Sequence, residues 1–231
     1  MIVIIANRRN HVAQALAQQW AAWDAAVLSA QDLSVAGWSL TDGATDAAVV
    51  AQQRVAERDI SAVLTLAPCI FEHELGYITP EDRSYVAAEM TAVLTFWLAR
   101  LRCPVLNRPT AARLSGPAWS PEKWVRVAYE AGVPVESICR TAVPDDSKVE
   151  QKMSSTVTLT VVGNRVLGSD DSRLQQRARR LARAAAVALL AVTFATERSE
   201  PHFVSADVFP NLSDETVADA VLEYLRGQQA A

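Results

Sequence analysis

The sequence predicts an α/β protein of two domains: an N-terminal parallel-sheet domain over residues 1–143, and a C-terminal α+β domain of antiparallel strands and two helices over 156–231. Three observations predict it. Strand-like and helix-like patterns alternate from the first residues onward, the order that builds a parallel sheet with helices on its faces. The stretch VPDDSKVEQKMSS is polar and aperiodic between two patterned regions, which marks residues 144–155 as a linker. Beyond it, TVTLTVVGNRVLGS reads as a β-hairpin turning at Gly163-Asn164.

The elements follow in order. Ile2 to Ala6 is an apolar strand, and Asn10 is placed to cap a helix with Val12, Leu16 and Trp20 or Trp23 on one face. A short strand near Ala26 to Leu28, a helix from about Asp46 to Glu57 and a strand Ala62 to Ala67 continue the alternation. After the loop PCIFEHELGYITPED, a helix from Arg83 to Leu101 is expected to turn Val86, Met90, Val93, Trp97 and Leu101 inward. CPVLNRP reads as a brief strand entering a turn, and Ser120-Pro121 as a helix start whose C-terminal end falls at Gly132. VPVESICR reads as one more strand. A helix from Ser172 to Leu190, strands Ala191 to Ala195 and Phe203 to Val208, and a helix Ser213 to Leu225 complete the chain.

Composition excludes several classes. Net charge −4 and a pI near 5.4 argue against a nucleic-acid-binding surface. The longest nearly apolar run, Ala184 to Ala195, is shorter than the roughly 20 residues that cross a bilayer. Met1 runs straight into a strand without a signal-peptide pattern, which predicts a cytoplasmic protein. Cys69, Cys103 and Cys139 are odd in number and each lies in an apolar setting, as expected of buried thiols rather than disulfides or a zinc site. Arg173, Arg177, Arg180 and Arg183 recur at helical spacing as a solvated face, or as a surface for an acidic partner or phosphate.

Two stretches carry candidate chemistry. CIFEHELGY, following a strand, gathers Glu72, His73 and Glu74 where parallel sheets form ligand crevices, and His73 suits acid-base work near neutral pH. This would be a small-ligand site, or an ordinary polar loop. PHFVSADVFPNLSDET ends a strand on Asp207, with Asn211 in the following turn, a grouping that suits Mg²⁺ and phosphates. No nucleophile motif is present, and no catalytic residue or resident metal is assigned.

The run RSYVAAEMTAVLTFWLARLRCPVLNRPTAARLSGPAWSPEKWVRVAYEAGVPV, with VTLTVVGNRVLG and PHFVSADVFPNLSDETVADAVLEYL, resembles ATP-grasp enzymes, particularly RimK-like and peptide-modifying ligases. The resemblance implies a pre-ATP-grasp-like N-terminal domain and a reduced ATP-grasp-like C-terminal domain. It also exposes losses. The family's phosphate-binding lysine strand and Gly-rich loop have no counterpart, and the interval that holds them has shrunk to the 144–155 linker, where Lys148 and Lys152 are read as solvated. Of the family's Mg²⁺ ligands, the first acid falls near Thr193, the Glu becomes Asp207 and the Asn becomes Phe209. Arg165 and Arg173 lie near the family's arginine, and Arg173 is placed to meet an anion at a helix N-terminus.

The resemblance therefore implies a non-catalytic pseudoenzyme, a binding or scaffold subunit for a partner enzyme or peptide substrate, with no cofactor. The alternative is a carboxylate-amine ligase that uses ATP and Mg²⁺ and completes its site with another chain. The equivalent turn in the family faces the substrate cleft, so Asn107, Arg108 and Arg113 are candidate carboxylate or peptide contacts. Trp119 and Trp124 are either an aromatic contact face or core. Loss of a subdomain uncovers apolar surface, so an oligomer is expected, with a second copy or an enzyme subunit.

Overall fold

The computed structural model describes residues 1–41, 45–136, 155–197 and 200–227. They form two compact units, the described residues of Met1–Ala118 with those of Asn211–Ala231, and those of Trp119–Pro210. Residues 144–154 of the expected linker lie outside the described residues, as do Lys148, Lys152, Cys139 and the end of the strand expected over VPVESICR.

The first unit is built on a four-stranded parallel sheet of β1 (Ile2–Ile5), β2 (Ala25–Leu28), β5 (Ala62–Thr65) and β6 (Val105–Leu106), in the order β2-β1-β5-β6. All four residues of β1 are buried, the continuous apolar signature of a strand covered on both faces. Helix α1 (His11–Gln19) starts where the Asn10 side chain accepts the Ala13 N–H at 3.0 Å. Helix α2 spans Arg83–Arg100 and helix α5 spans Glu215–Gly227. Sequence order suggested that α5 joins the second domain, but it belongs to the first unit: Gln19 donates to Asp219 at 3.1 Å and Arg226 stacks over Trp23.

The segment expected to be a helix from Asp46 to Glu57 is instead an antiparallel hairpin of β3 (Ala47–Val50) and β4 (Gln53–Ala56). Its turn residues Ala51 and Gln52 both have positive φ, 49° and 63°, a backbone no helix allows. The inward face of α2 also differs from expectation. Ala87, Leu94, Trp97 and Leu98 are buried, Val86 and Met90 are half-buried, and Val93 is exposed.

The second unit holds a four-stranded antiparallel sheet of β7 (Thr156–Val162), β8 (Arg165–Leu167), β9 (Leu189–Ala195) and β10 (His202–Asp207), in the order β10-β9-β7-β8. Helices α3 (Pro121–Glu130) and α4 (Ser172–Ala184) pack Trp124, Val127, Leu174 and Leu181 into a core with Leu159, Val161 and Phe194. Helix α3, which sequence order placed in the first domain, joins this unit. Its C-terminal turn at Gly132 (φ 69°) leads to Pro134, whose carbonyl accepts the Phe203 N–H at 2.8 Å. Helix α4 ends at Ala184 rather than near Leu190, because Ala186 at φ 53° turns the chain into β9. Strand β10 shifts register between Phe203 and Ser205, leaving Val204 exposed.

Candidate functional site

In the sheet of the first unit, β1 is followed by a neighbour on one side and later joined by β5 on the other. The loops leaving the carboxyl ends of β1 and β5 therefore part, and a crevice opens there, as open α/β sheets allow. Its cavity of about 640 Å³ is lined by Asn7, Arg8 and Arg9 after β1, by Ser29 and Gln31 after β2, and by the loop after β5. That volume falls within the usual range for a small-ligand pocket.

The loop after β5 is held by specific bonds. Ile70 N–H donates to the Thr91 hydroxyl of α2 at 3.0 Å, and Arg83 donates to the carbonyls of Ile78 (2.9 Å) and Gly76 (3.3 Å). The Tyr77 hydroxyl donates to the Ala30 carbonyl and lies 3.1 Å from the Ser34 hydroxyl, tying the β2 and β5 loops together. Glu72, His73 and Glu74 form a single 3₁₀ turn within this loop. His73 and Glu74 line the crevice, with the His73 ring stacked on Phe71 at 5.3 Å. Glu74 accepts the Phe71 N–H at 3.1 Å. Glu72 lines a different cavity, an open groove of about 780 Å³ beside α2 that also includes Cys69 and Phe71. Burial, then the Glu74 charge, pushes the Cys69 thiol above its ordinary value.

The crevice thus places two guanidiniums, an imidazole and a carboxylate around one opening, an arrangement suited to binding a polar or charged small molecule. Sequence reading singled out His73 and Glu74 but missed Arg8 and Arg9. The available signal was their position directly after β1. Arg8 donates to the Gln31 side chain, and the Arg9 backbone N–H donates to the Asn7 side chain at 2.8 Å.

The other candidates fall elsewhere. Arg108, expected to meet substrate, donates to the carbonyls of Leu98, Leu101 and Cys103 at 3.2 to 3.3 Å. It closes the C-terminal end of α2, where a cation also meets the negative end of the helix dipole. Asn107 is buried, and Arg113 is half-buried with its backbone paired to Thr110. Trp119 belongs to the second unit, where it packs edge-on against the buried Trp124 at 4.7 Å with Lys123 over its ring. Cys69 and Cys103 are free thiols and half-buried rather than buried.

In the second unit, exposed Asp207 accepts the Phe209 N–H at 2.9 Å. The Thr193 hydroxyl pairs with that of Thr158 at 3.0 Å, and Phe209 packs on the apolar core of the unit. Arg173 opens α4 and lies 3.5 Å from Asp171, the residue that caps the same helix by accepting the Arg173 N–H. Asn211, which belongs to the first unit, accepts the Ser213 N–H at 3.1 Å. Among the described residues, no group of three or more His, Cys, Asp or Glu is arranged to hold a metal ion. No helix of the described residues is long and apolar enough to cross a membrane.

No protein-family model and no curated protein sequence matches the chain. Solved structures do match it. The macrocyclase MdnC of Microcystis aeruginosa MRC, bound with precursor peptide MdnA, aligns at a TM-score of 0.70 and 11% identity, covering 98% of this chain and 99% of that one. The ATP-grasp ligase PsnB, complexed with a phosphomimetic variant of its minimal precursor, Mg and ADP, aligns at 0.71 and 12% identity, covering 98% of each chain. A RiPP-associated ATP-grasp ligase of Chryseobacterium gregarium, in complex with ADP and a leader and core peptide, aligns at 0.67 and 12% identity, covering 98% of this chain and 96% of that one.

Proposed function

Because the chain has the fold of the ATP-grasp ligases, we propose that it is a non-catalytic member of that architecture which binds a peptide, or the enzyme that modifies one, and supports its modification. The peptides bound to the similar ligases support a peptide as the partner. The observation that carries the non-catalytic reading is the chemistry around β9 and β10. Where the resembled ligases place an acid, a Glu and an Asn for Mg²⁺, this chain has Thr193, Asp207 and Phe209. Thr193 is hydrogen-bonded to another hydroxyl, Phe209 is packed on core, and one carboxylate remains. Mg²⁺ favours octahedral oxygen coordination, commonly one or two carboxylates together with substrate phosphates and water, so these side chains are a poor fit.

The test is the melting temperature of the full chain with and without millimolar Mg²⁺-ATP. A ligand at about 100 times its Kd stabilises by about 2.7 kcal/mol. No shift is expected, whereas a magnesium-dependent rise would overturn the reading.

A second reading, a carboxylate-amine ligase that uses ATP and Mg²⁺ and completes its site with another chain, is favoured by Asp207, which stands exposed at the end of β10. In that case Asp207→Ala abolishes the activity of the reconstituted assembly; under the first reading it leaves partner function intact.

A further inference from the structure

We propose that the crevice at the carboxyl ends of β1, β2 and β5 binds a small molecule headed by an oxyanion, a phosphate or a carboxylate, with the Arg9 guanidinium as its main contact. The crevice belongs wholly to the first unit. Its walls are joined by hydrogen bonds that leave donors over and almost no acceptors.

The turn that leaves β1 is braced on three sides. The Asn7 side-chain oxygen accepts the Arg9 N–H at 2.8 Å, and the Asn7 carbonyl accepts the Asn10 N–H at 2.9 Å. The Arg8 carbonyl accepts the Gln14 side chain at 3.2 Å. The Arg8 guanidinium donates to Gln31 Oε1, which ties this turn to the loop after β2. Arg8 is therefore a positioning residue, and Arg9 is presented on a fixed backbone.

What these bonds spare decides the ligand. An amide side chain has an acceptor oxygen at one end and a donor NH2 at the other. In Asn7 and Gln31 the oxygen is the end in use, and among the described residues neither NH2 has a protein partner. The exposed Arg9 guanidinium likewise makes no hydrogen bond or ion pair among the described residues. The His73 ring keeps at least one N–H in any protonation state. The Tyr77 hydroxyl is already spent on the Ala30 carbonyl. Glu74 is the one acid on the lining, and its Oε1 accepts the Phe71 N–H at 3.1 Å. A ligand that satisfies this set must bring acceptors, and two guanidiniums against one carboxylate favour a negative one. The turn leads directly into α1, whose N-terminal dipole end favours the same sign. The volume of about 640 Å³ leaves room for a body behind the charged head.

The test is an amide NMR titration of the full chain with inorganic phosphate and, separately, with citrate. Sodium chloride at about 0.15 M shortens the Debye length to about 8 Å, which suppresses loose ion accumulation on scattered surface charges. Saturable shifts are expected at the residues lining the crevice. Arg9→Ala keeps the backbone N–H that Asn7 accepts, and is expected to raise Kd by at least about tenfold, the worth of one charge-assisted hydrogen bond. Arg183→Ala, on the exposed basic face of α4, is expected to leave Kd unchanged. Saturation by phosphate alone assigns a phosphate head, by citrate alone a carboxylate head, and by both an oxyanion of either kind. No saturation with either probe overturns the proposal, as does binding that survives Arg9→Ala or whose shifts lie on α4. The titration holds neither nucleotide nor magnesium, so its outcome is separate from that of the function proposed above.

Discussion

Asp32 accepts the backbone N–H of Gln52 at 2.7 Å, and through this one bond the loop after β2 holds the turn of the β3–β4 hairpin. Its second carboxylate oxygen accepts the Ser29 N–H and hydroxyl at 2.8 and 2.9 Å. Asp32 is buried, so Asp32→Ala leaves several donors without a partner. At about 1–3 kcal/mol for a stranded buried donor, partly offset by relaxation, the expected loss is about 3 kcal/mol. Urea unfolding of the full chain measures it, and a loss under about 1 kcal/mol would mean that water replaces the carboxylate.

The hairpin turn itself can be improved. Ala51 and Gln52 hold left-handed backbone that costs an L-residue about 1–2 kcal/mol. Gln52→Gly removes that cost and keeps the N–H that Asp32 accepts. After the entropy that glycine loses on folding, a gain of about 0.5 kcal/mol is expected in the same unfolding measurement.

Arg108 separates a structural role from a binding one. As the clamp on the last turn of α2, its loss in Arg108→Ala is expected to lower stability by about 2 kcal/mol, and Arg108→Lys is expected to recover only part, because a lysine lacks the planar fork. If Arg108 served chiefly as a peptide contact, the melting temperature would instead stay within about 1 °C, a shift corresponding to only a few tenths of a kcal/mol.

Asp46 gives the fold an acid-sensitive tie. Its buried carboxylate accepts the Thr41 hydroxyl and N–H, both at 2.8 Å, and pairs with Arg100. The Thr41 bonds, then the Arg100 charge, hold it below the usual carboxylate value. A depressed folded pKa means the stabilisation is complete above the unfolded value of about 3.9 and fades as pH falls through the folded one. The melting temperature should therefore fall less between pH 5 and pH 3 in Asp46→Asn than in the wild-type chain, starting from a lower value at pH 7.

Cys103 should be a slow thiol. Burial is the main cause that raises its pKa to about 11. At pH 8 that leaves roughly two hundredfold less thiolate than a free cysteine of pKa about 8.5. Iodoacetamide labelling followed by peptide mass mapping should show Cys103 lagging by about that factor, with the gap closing as pH approaches 11.

What was legible in the sequence was local. The four apolar residues of β1, the Asn10 and Ser120 caps and the Gly163-Asn164 hairpin each carry their own chemistry, and each forms as expected. The β3–β4 hairpin was not legible because its turn lacks Gly or Asn and is held by Asp32, a residue outside the segment. Arg8 and His73 stand far apart in the chain, and only the sheet order brings them to one crevice. The bonds of Arg108 to the end of α2 were not legible because their acceptors are backbone carbonyls, which leave no mark in a sequence.

The register shift in β10 carries a last consequence. An outermost strand with a clean row of free N–H and C=O groups invites the strand of another molecule to add on, and that is how fibrils begin. Here the row is broken at Val204, and Val135 bridges Phe203 just before the break. The bulge twists the edge out of line with any incoming strand. The break at Val204 therefore makes this rim a poorer template for an added strand than an unbroken edge would be.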